Sequence, residues 1–184
     1  MTFIRKIVNP SSKGNDEEFY YAMRELLDFN PKKIENYEMA FTHRSLQKVD
    51  KAGKPYGLTM NSVTSLSLEP PLYVVNLDKG SDTLTVLENG GGFCINVLAS
   101  DQQDLSNRFA KKGDNKFEGV EYTSGYAAVP CIVGALMSIQ CSVEAMHEGG
   151  DHSIVVGRVQ DITHQDPEKV KPLLYYRGRY AEIS

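Results

Sequence analysis

No apolar run in the 184 residues approaches the stretch of about 20 that crosses a bilayer. The opening MTFIRKIVNPSS has neither a continuous apolar core nor a clear cleavage site, which argues against a secretory signal. Positive charge is not in excess. With 20 Lys and Arg against 24 Asp and Glu, the formal net charge of −4 disfavours a broad polyanion-binding surface, so neither membrane nor nucleic acid is an expected partner. Cysteine is scarce, and Cys94, Cys131 and Cys141 lie in apolar, strand-like segments without CxxC spacing. That pattern suits buried thiols in a reducing compartment, with the cytoplasm as the expected location, and not a disulfide framework or a zinc site. Internal repeats and low-complexity tracts are also lacking. What is present, 41% hydrophobic and 24% charged residues, is ordinary for one globular domain with a small appendage.

The chain has two grammars. Its first fifty residues read as helical: Asn15 or Asp16 caps a helix over Glu17 to Phe29, and Pro31 opens a second with Ile34, Tyr37 and Phe41 as its stripe. From Lys51 the pattern turns to strands. Gly57 to Leu66 is rich in Thr, Ser and Val, Leu72 to Leu77 is a short apolar run, and Phe93 to Ala99 is strand-like. Ser81 to Glu88 reads as a short helix with Leu84 and Leu87 inward, ended by Gly90, Gly91 and Gly92. Ser100 and Gln103 have the look of a capping box for a helix to Ala110. Ala135 to Met146 and Ser153 to Ile162 are long strands joined by a Gly149-Gly150 hairpin connection, and Leu173 to Ile183 adds a last strand or two. The expected fold class is mainly β, a barrel with short connecting helices.

The run GKPYGLTMNSVTSLSLEPPLYVVNLDKGSDTL, from Gly53 to Leu84, resembles the opening of flavin reductase family domains. Further matches follow in order: FCINVLASDQQDLSNRFA, VGALMSIQCSVEA, GDHSIVVGRV and PLLYYRGRY. The resemblance covers about residues 51–184 and implies a flavin-binding split barrel that passes hydride from NAD(P)H to FMN or FAD. It also implies a homodimer and, as a partner, a monooxygenase that accepts reduced flavin.

The resemblance assigns flavin contacts to Thr59, Asn61, Ser62, Ser65, Leu66 and Ser67. Strand alternation puts Thr59, Ser65 and Ser67 on one face; the plainer reading of such a face is a solvated one. Lys79, Ser81 and Thr83 lie where the family holds the flavin phosphate. A helix start there favours an anion, and a capped surface helix is the alternative. Asn96 contacts the ligand or satisfies buried backbone. Phe109, Arg177 and Tyr180 enclose the ligand, or else serve the core (Phe109) and a dimer contact (the other two). Gly150-Asp151-His152 matches a family signature on the nicotinamide side, which makes His152 the catalytic-site candidate, as a positioning group; otherwise it is a surface histidine.

Glu18 to Gln47, with AFTHRS at Ala40 to Ser45, resembles the start of ribonuclease III instead. The acidic ERLEFLGD helix that follows in that family is missing here, so metal-dependent phosphodiester hydrolysis has no ligands. Residues 1–50 are therefore read as a non-catalytic helical segment. The resemblance to flavin reductases asks for an apolar strand just before PYGLT, where this chain has MAFTHRSLQKV. Either that segment enters the barrel as a strand, or the barrel lacks one. Two rival readings stand beside the reductase: a split barrel that binds FMN without turnover, and, more distantly, an RNA-associated fragment.

Overall fold

Residues with alternating burial dominate the chain from Pro55 onward, and the computed structural model pairs them into one large antiparallel sheet. It describes residues 41–42, 44–49, 53–88, 91–113, 115–166, 168–176 and 178–182. The helical readings upstream of residue 41, and with them most of the ribonuclease III resemblance, lie outside the described residues, as does Arg177.

The strands are β1 (Phe41–Thr42), β2 (Arg44–Val49), β3 (Pro55–Met60), β4 (Val63–Ser67), β5 (Leu72–Asp78), β6 (Gly92–Val97), β7 (Tyr122–Ser124), β8 (Pro130–Ile132), β9 (Met137–Gly149), β10 (His152–His164), β11 (Leu174–Tyr176) and β12 (Arg179–Ala181). Two α-helices stand among the described residues, α1 (Asp82–Glu88) and α2 (Gln103–Ala110). Seven strands form the main sheet in the order β3-β2-β6-β9-β10-β5-β4. Its edge strands β3 and β4 are consecutive in the chain and joined only by Asn61-Ser62. The two edges therefore meet at one corner, and the sheet wraps round as the expected barrel.

Two expectations need correction, and one of two open alternatives is met. Gly57 to Leu66 is not one strand but the ends of β3 and the start of β4, turned at Asn61-Ser62, so Thr59 and the pair Ser65 and Ser67 sit on opposite edges of the sheet order. The capping box is absent: Gln102 is the N-cap of α2 and makes no side-chain cap bond. Its amide instead accepts from the Ala99 N–H at 3.0 Å and donates to the Val133 carbonyl at 2.9 Å. Finally, the polar segment before PYGLT enters the barrel. β2, residues 44–49, pairs with β3 on one side and β6 on the other.

Inward positions fill the barrel. Tyr73, Val75 and Leu77 alternate along β5, and they meet Phe93, Ile95, Ile139, Cys141 and Val155 together with the Leu84 and Leu87 face of α1. Each fully buried side chain of this size contributes about 1.5–3 kcal/mol. A second cluster, Leu98, Phe109, Ile132, Ala135 and Leu173, packs α2 against the chain beyond the barrel.

All three cysteines are free and buried. Burial pushes the Cys141 thiol from 9.0 up to about 12. The unfolded chain thus gives up this proton near pH 9 while the native state keeps it. The stability due to Cys141 is complete below pH 9 and falls as pH climbs toward 12. The urea midpoint of the wild type is expected to drop between pH of about 8 and about 10.5 by more than that of Cys141→Ala. Equal drops in both proteins contradict this.

Candidate functional site

Strand β3 runs between the two helices, and the space it bridges is a cavity of about 450 Å³, within the size range of small-ligand sites. One wall is β3 itself, from Pro55 to Thr59; a second is the turn and first helical residues from Asp78 to Thr83, without Lys79; the third is Phe109 to Gly113 with Lys116. Local bonds hold each wall. The Asp78 carboxylate accepts from the Gly80 N–H at 2.7 Å and the Asp78 carbonyl from the Ser81 N–H at 3.0 Å, which sets the tight turn into α1. Thr59 Oγ1 donates to the Ser106 carbonyl at 2.7 Å and ties β3 to α2. Lys116 Nζ donates to the carbonyls of Gly57, at 3.1 Å, and Phe109, at 3.3 Å.

Chemically the cavity joins an apolar side, the part-exposed Tyr56 and Leu58 on β3, backed by the core, to a polar, cation-rich one. Phe109 is fully buried and meets Phe117 edge-on, with centroids 4.9 Å apart. Two carboxylates, Asp78 and Asp82, face three ammonium groups, Lys111, Lys112 and Lys116. Burial holds Lys116 below its usual range, with the charge of Asp82 pulling the other way.

Of the residues singled out in the sequence, Thr59, Ser81, Thr83 and Phe109 line this cavity. Lys79 and His152 stand beside it. His152 lies opposite Asp78 across the β5–β10 ladder, and Lys79 N–H donates to the Asp151 carbonyl at 3.0 Å. The Lys79 ammonium pairs with Glu148 on the hairpin. His152 Nδ1 is 2.7 Å from the Asp151 carboxylate, whose pKa this bond lowers.

The others are placed elsewhere. Asn61 and Ser62 form the corner between the sheet edges, where Ser62 Oγ accepts from Asn76 Nδ2 at 2.6 Å. Ser65, Leu66 and Ser67 lie along edge strand β4, with Leu66 54% exposed. Asn96 is fully buried in β6 and takes the backbone-satisfying alternative: it donates to the Pro130 carbonyl at 3.2 Å and accepts from Ile132 N–H at 3.0 Å and Ser138 Oγ at 2.5 Å. It does not reach the cavity. Tyr180 is a strut from β12 to α2, its hydroxyl 2.8 Å from Asn107 Oδ1 and 3.0 Å from Ser106 Oγ.

Sequence reasoning missed the three lysines. Their signal was the basic run Lys111-Lys112…Lys116 directly after Phe109 in a chain of net negative charge.

With this barrel and this cavity, the chain belongs to the flavin reductase like domain family, which it matches over residues 46–184. It is 40% identical over 131 residues to the reductase subunit HsaB of a flavin-dependent monooxygenase from Rhodococcus jostii, a match covering 71% of this chain and 66% of that one. Thus the chain spans about two thirds of that relative's length. Among solved structures, nitrilotriacetate monooxygenase component B from Mycobacterium thermoresistibile is similar at 35% identity and a TM-score of 0.75, covering 80% of this chain and 82% of that one. A Streptomyces globisporus NADH:FAD oxidoreductase, solved with NAD and FAD fragments, is similar at 27% identity and a TM-score of 0.74, covering 79% and 87%.

Proposed function

We propose that this chain is an NAD(P)H:flavin oxidoreductase that reduces FMN or FAD and supplies the reduced flavin to a monooxygenase. The observation that carries the reading is the gathering of Thr59, Ser81, Thr83 and Phe109 on one cavity of a flavin reductase like domain. The residues present fit a flavin nucleotide: the part-exposed Tyr56 and Leu58 for the ring system, and hydroxyls with ammonium groups for a phosphate. The two nucleotides supply the chemistry, a hydride leaving the nicotinamide for the flavin ring, and the protein's share is binding and orientation.

In that share His152 is a positioning group. With Nδ1 held by Asp151, its ring is oriented and Nε2 is the nitrogen left for a ligand. The remaining ligand residues, Asn61, Ser62, Ser65, Leu66 and Ser67, lie on the exposed corner and edge. A second copy packed there gives them a ligand-facing role. The exposure of Leu66 and Leu68, 54% and 57%, supports a homodimer through this edge. Three free thiols fit a cytoplasmic setting.

The test is NADH or NADPH oxidation that depends on added FMN or FAD. His152→Ala is expected to raise the KM for the nicotinamide nucleotide several-fold while leaving flavin affinity unchanged. Flavin binding without turnover, with His152→Ala changing nothing, favours the binding module instead.

A further inference from the structure

Every residue of β6 is buried, although only Phe93, Ile95 and Val97 belong to the barrel core. The other face carries Cys94 and Asn96, and it is covered by the excursion from β7 through the turn at 125–129 into β8. Asn96 grips that excursion by its backbone, at the Pro130 carbonyl and the Ile132 N–H, the residues on either side of Cys131. Cys94 stands two positions before Asn96, on the same face of the strand, and its sulfur lies 3.9 Å from that of Cys131. Cys141 is not part of this pair. It packs beside Phe93 in the barrel core, on the other face of the sheet.

The turn over the two sulfurs is strained. Ala127 and Ala128 hold φ of 50° and 61°, a left-handed backbone that is costly for residues with a Cβ. Gly125 begins the turn because a side chain has no room there: a Cβ would stand 2.7 Å from the Cys131 sulfur and 2.4 Å from Gln140 Oε1. That Gln140 oxygen ties the turn down by accepting from the Tyr126 N–H at 2.6 Å. A strained turn opens more readily than a relaxed one, and opening it uncovers Cys131, already the less enclosed thiol at 6% exposure against 0% for Cys94.

We propose that Cys94 and Cys131 are a redox-active dithiol, closed to a disulfide by hydrogen peroxide. The Cys131 thiolate attacks one peroxide oxygen and breaks the O–O bond; it becomes a sulfenic acid, and the proton it gave up leaves in a molecule of water. The Cys94 sulfur then attacks the Cys131 sulfur, and the S–S bond forms as the hydroxyl departs with the Cys94 proton as a second water. Two thiols give up two electrons between them, and one peroxide becomes two waters. A disulfide needs its sulfurs about 2.05 Å apart, so the pair closes by roughly 2 Å as the turn shifts. Cys131 is the attacking thiol: a hydrogen bond with Cys94 lowers its pKa, against burial and the charge of Asp161, while burial pushes that of Cys94 well up. The oxidant's source rests on the reductase reading, since reduced flavin that meets dioxygen in place of a monooxygenase yields hydrogen peroxide. The rival role is packing alone, with both thiols as small buried hydrophobes.

The experiment exposes the reduced, folded chain to a small excess of hydrogen peroxide, blocks the remaining thiols and maps the peptides by mass spectrometry. Of the three thiols, Cys141 is expected to survive, with Cys94 linked to Cys131 inside one chain and both recovered by dithiothreitol. In Cys94→Ser the Cys131 sulfenic acid has no resolving thiol and is expected to be trapped by dimedone, whereas Cys131→Ser leaves Cys94 unreacted. Thermal melts confirm that both variants fold. Survival of all three thiols, sulfinic acid at Cys131 without a link, or links between chains only would overturn the proposal. So would a link that forms in urea but not in the native protein. No flavin is present in this arm, so its failure is distinct from failure of the reductase reading. Replacing the peroxide by NADH, FMN and air tests the source. A catalase-sensitive link ties the oxidant to the chain's own turnover; a link with added peroxide alone supports the dithiol and gives its oxidant another origin.

Discussion

Removing the hydroxyls of Ser81 and Thr83 together is expected to weaken FMN binding about 100-fold and riboflavin binding little. Both residues line the cavity at the start of α1, across from the lysine-bearing wall. The hydroxyls, not the helix end, carry this expectation. Helix α1 has only seven residues, begins with Asp82, and the Ser81 N–H is already given to the Asp78 carbonyl. A hydrogen bond to a charged group contributes about 1.5–3 kcal/mol, so losing two reaches the stated factor. Thr83 is 3% exposed and packs in the interior, so Thr83→Val combined with Ser81→Ala removes both hydroxyls while keeping the volume. Isothermal titration of both flavins provides the control within one variant. Parallel losses would place the phosphate elsewhere.

Gly157→Ala is expected to destabilise the fold by about 3 kcal/mol, the upper part of the range for overpacked cores. An added Cβ would stand 2.3 Å from Phe93 Cζ, 2.9 Å from its Cε1 and 3.0 Å from Cys141 Cβ. Phe93 is fully buried and has no solvent side to move toward. The glycine sits where the β9–β10 register shifts, between Val156 and Gly157, so the bulge and the aromatic ring occupy one layer of the barrel. Relief should come from the ring's side: Phe93→Leu is expected to cost less in the Gly157→Ala background than in the wild type. Urea denaturation of the two single variants and the double measures this coupling. Additive losses would show that the ring and the glycine do not share the space.

Much of the barrel was legible in the sequence because its strands obey simple alternation. Tyr73, Val75 and Leu77 face inward at every second position, and α1 turns Leu84 and Leu87 to the core as its spacing requires. The corner at Asn61-Ser62 was not legible. No Gly or Pro marks it, and it exists because two sheet edges distant in the strand order meet there. Reading through it carried one alternation across two strands and put Ser65 and Ser67 beside Thr59. Asn96 shows a similar limit: the groups that satisfy it, Pro130 and Ile132, are 34 and 36 residues away in the chain. The lysine wall was missed for the same reason. Lys116 reaches the carbonyl of Gly57 over 59 residues, a contact that no local pattern encodes. Segment 44–49 is the opposite case: its polar alternation matches a buried strand poorly, yet its backbone is paired on both sides, by β3 and by β6.

The measurement that tests the central claim most directly is the visible spectrum of the purified protein with FMN titrated in, followed by NADH or NADPH under anaerobic conditions. A reductase gives a saturable perturbation of the flavin bands, then bleaching much faster than in a protein-free control. Saturable binding with bleaching no faster than the control, for FMN and FAD and with either nucleotide, would contradict it.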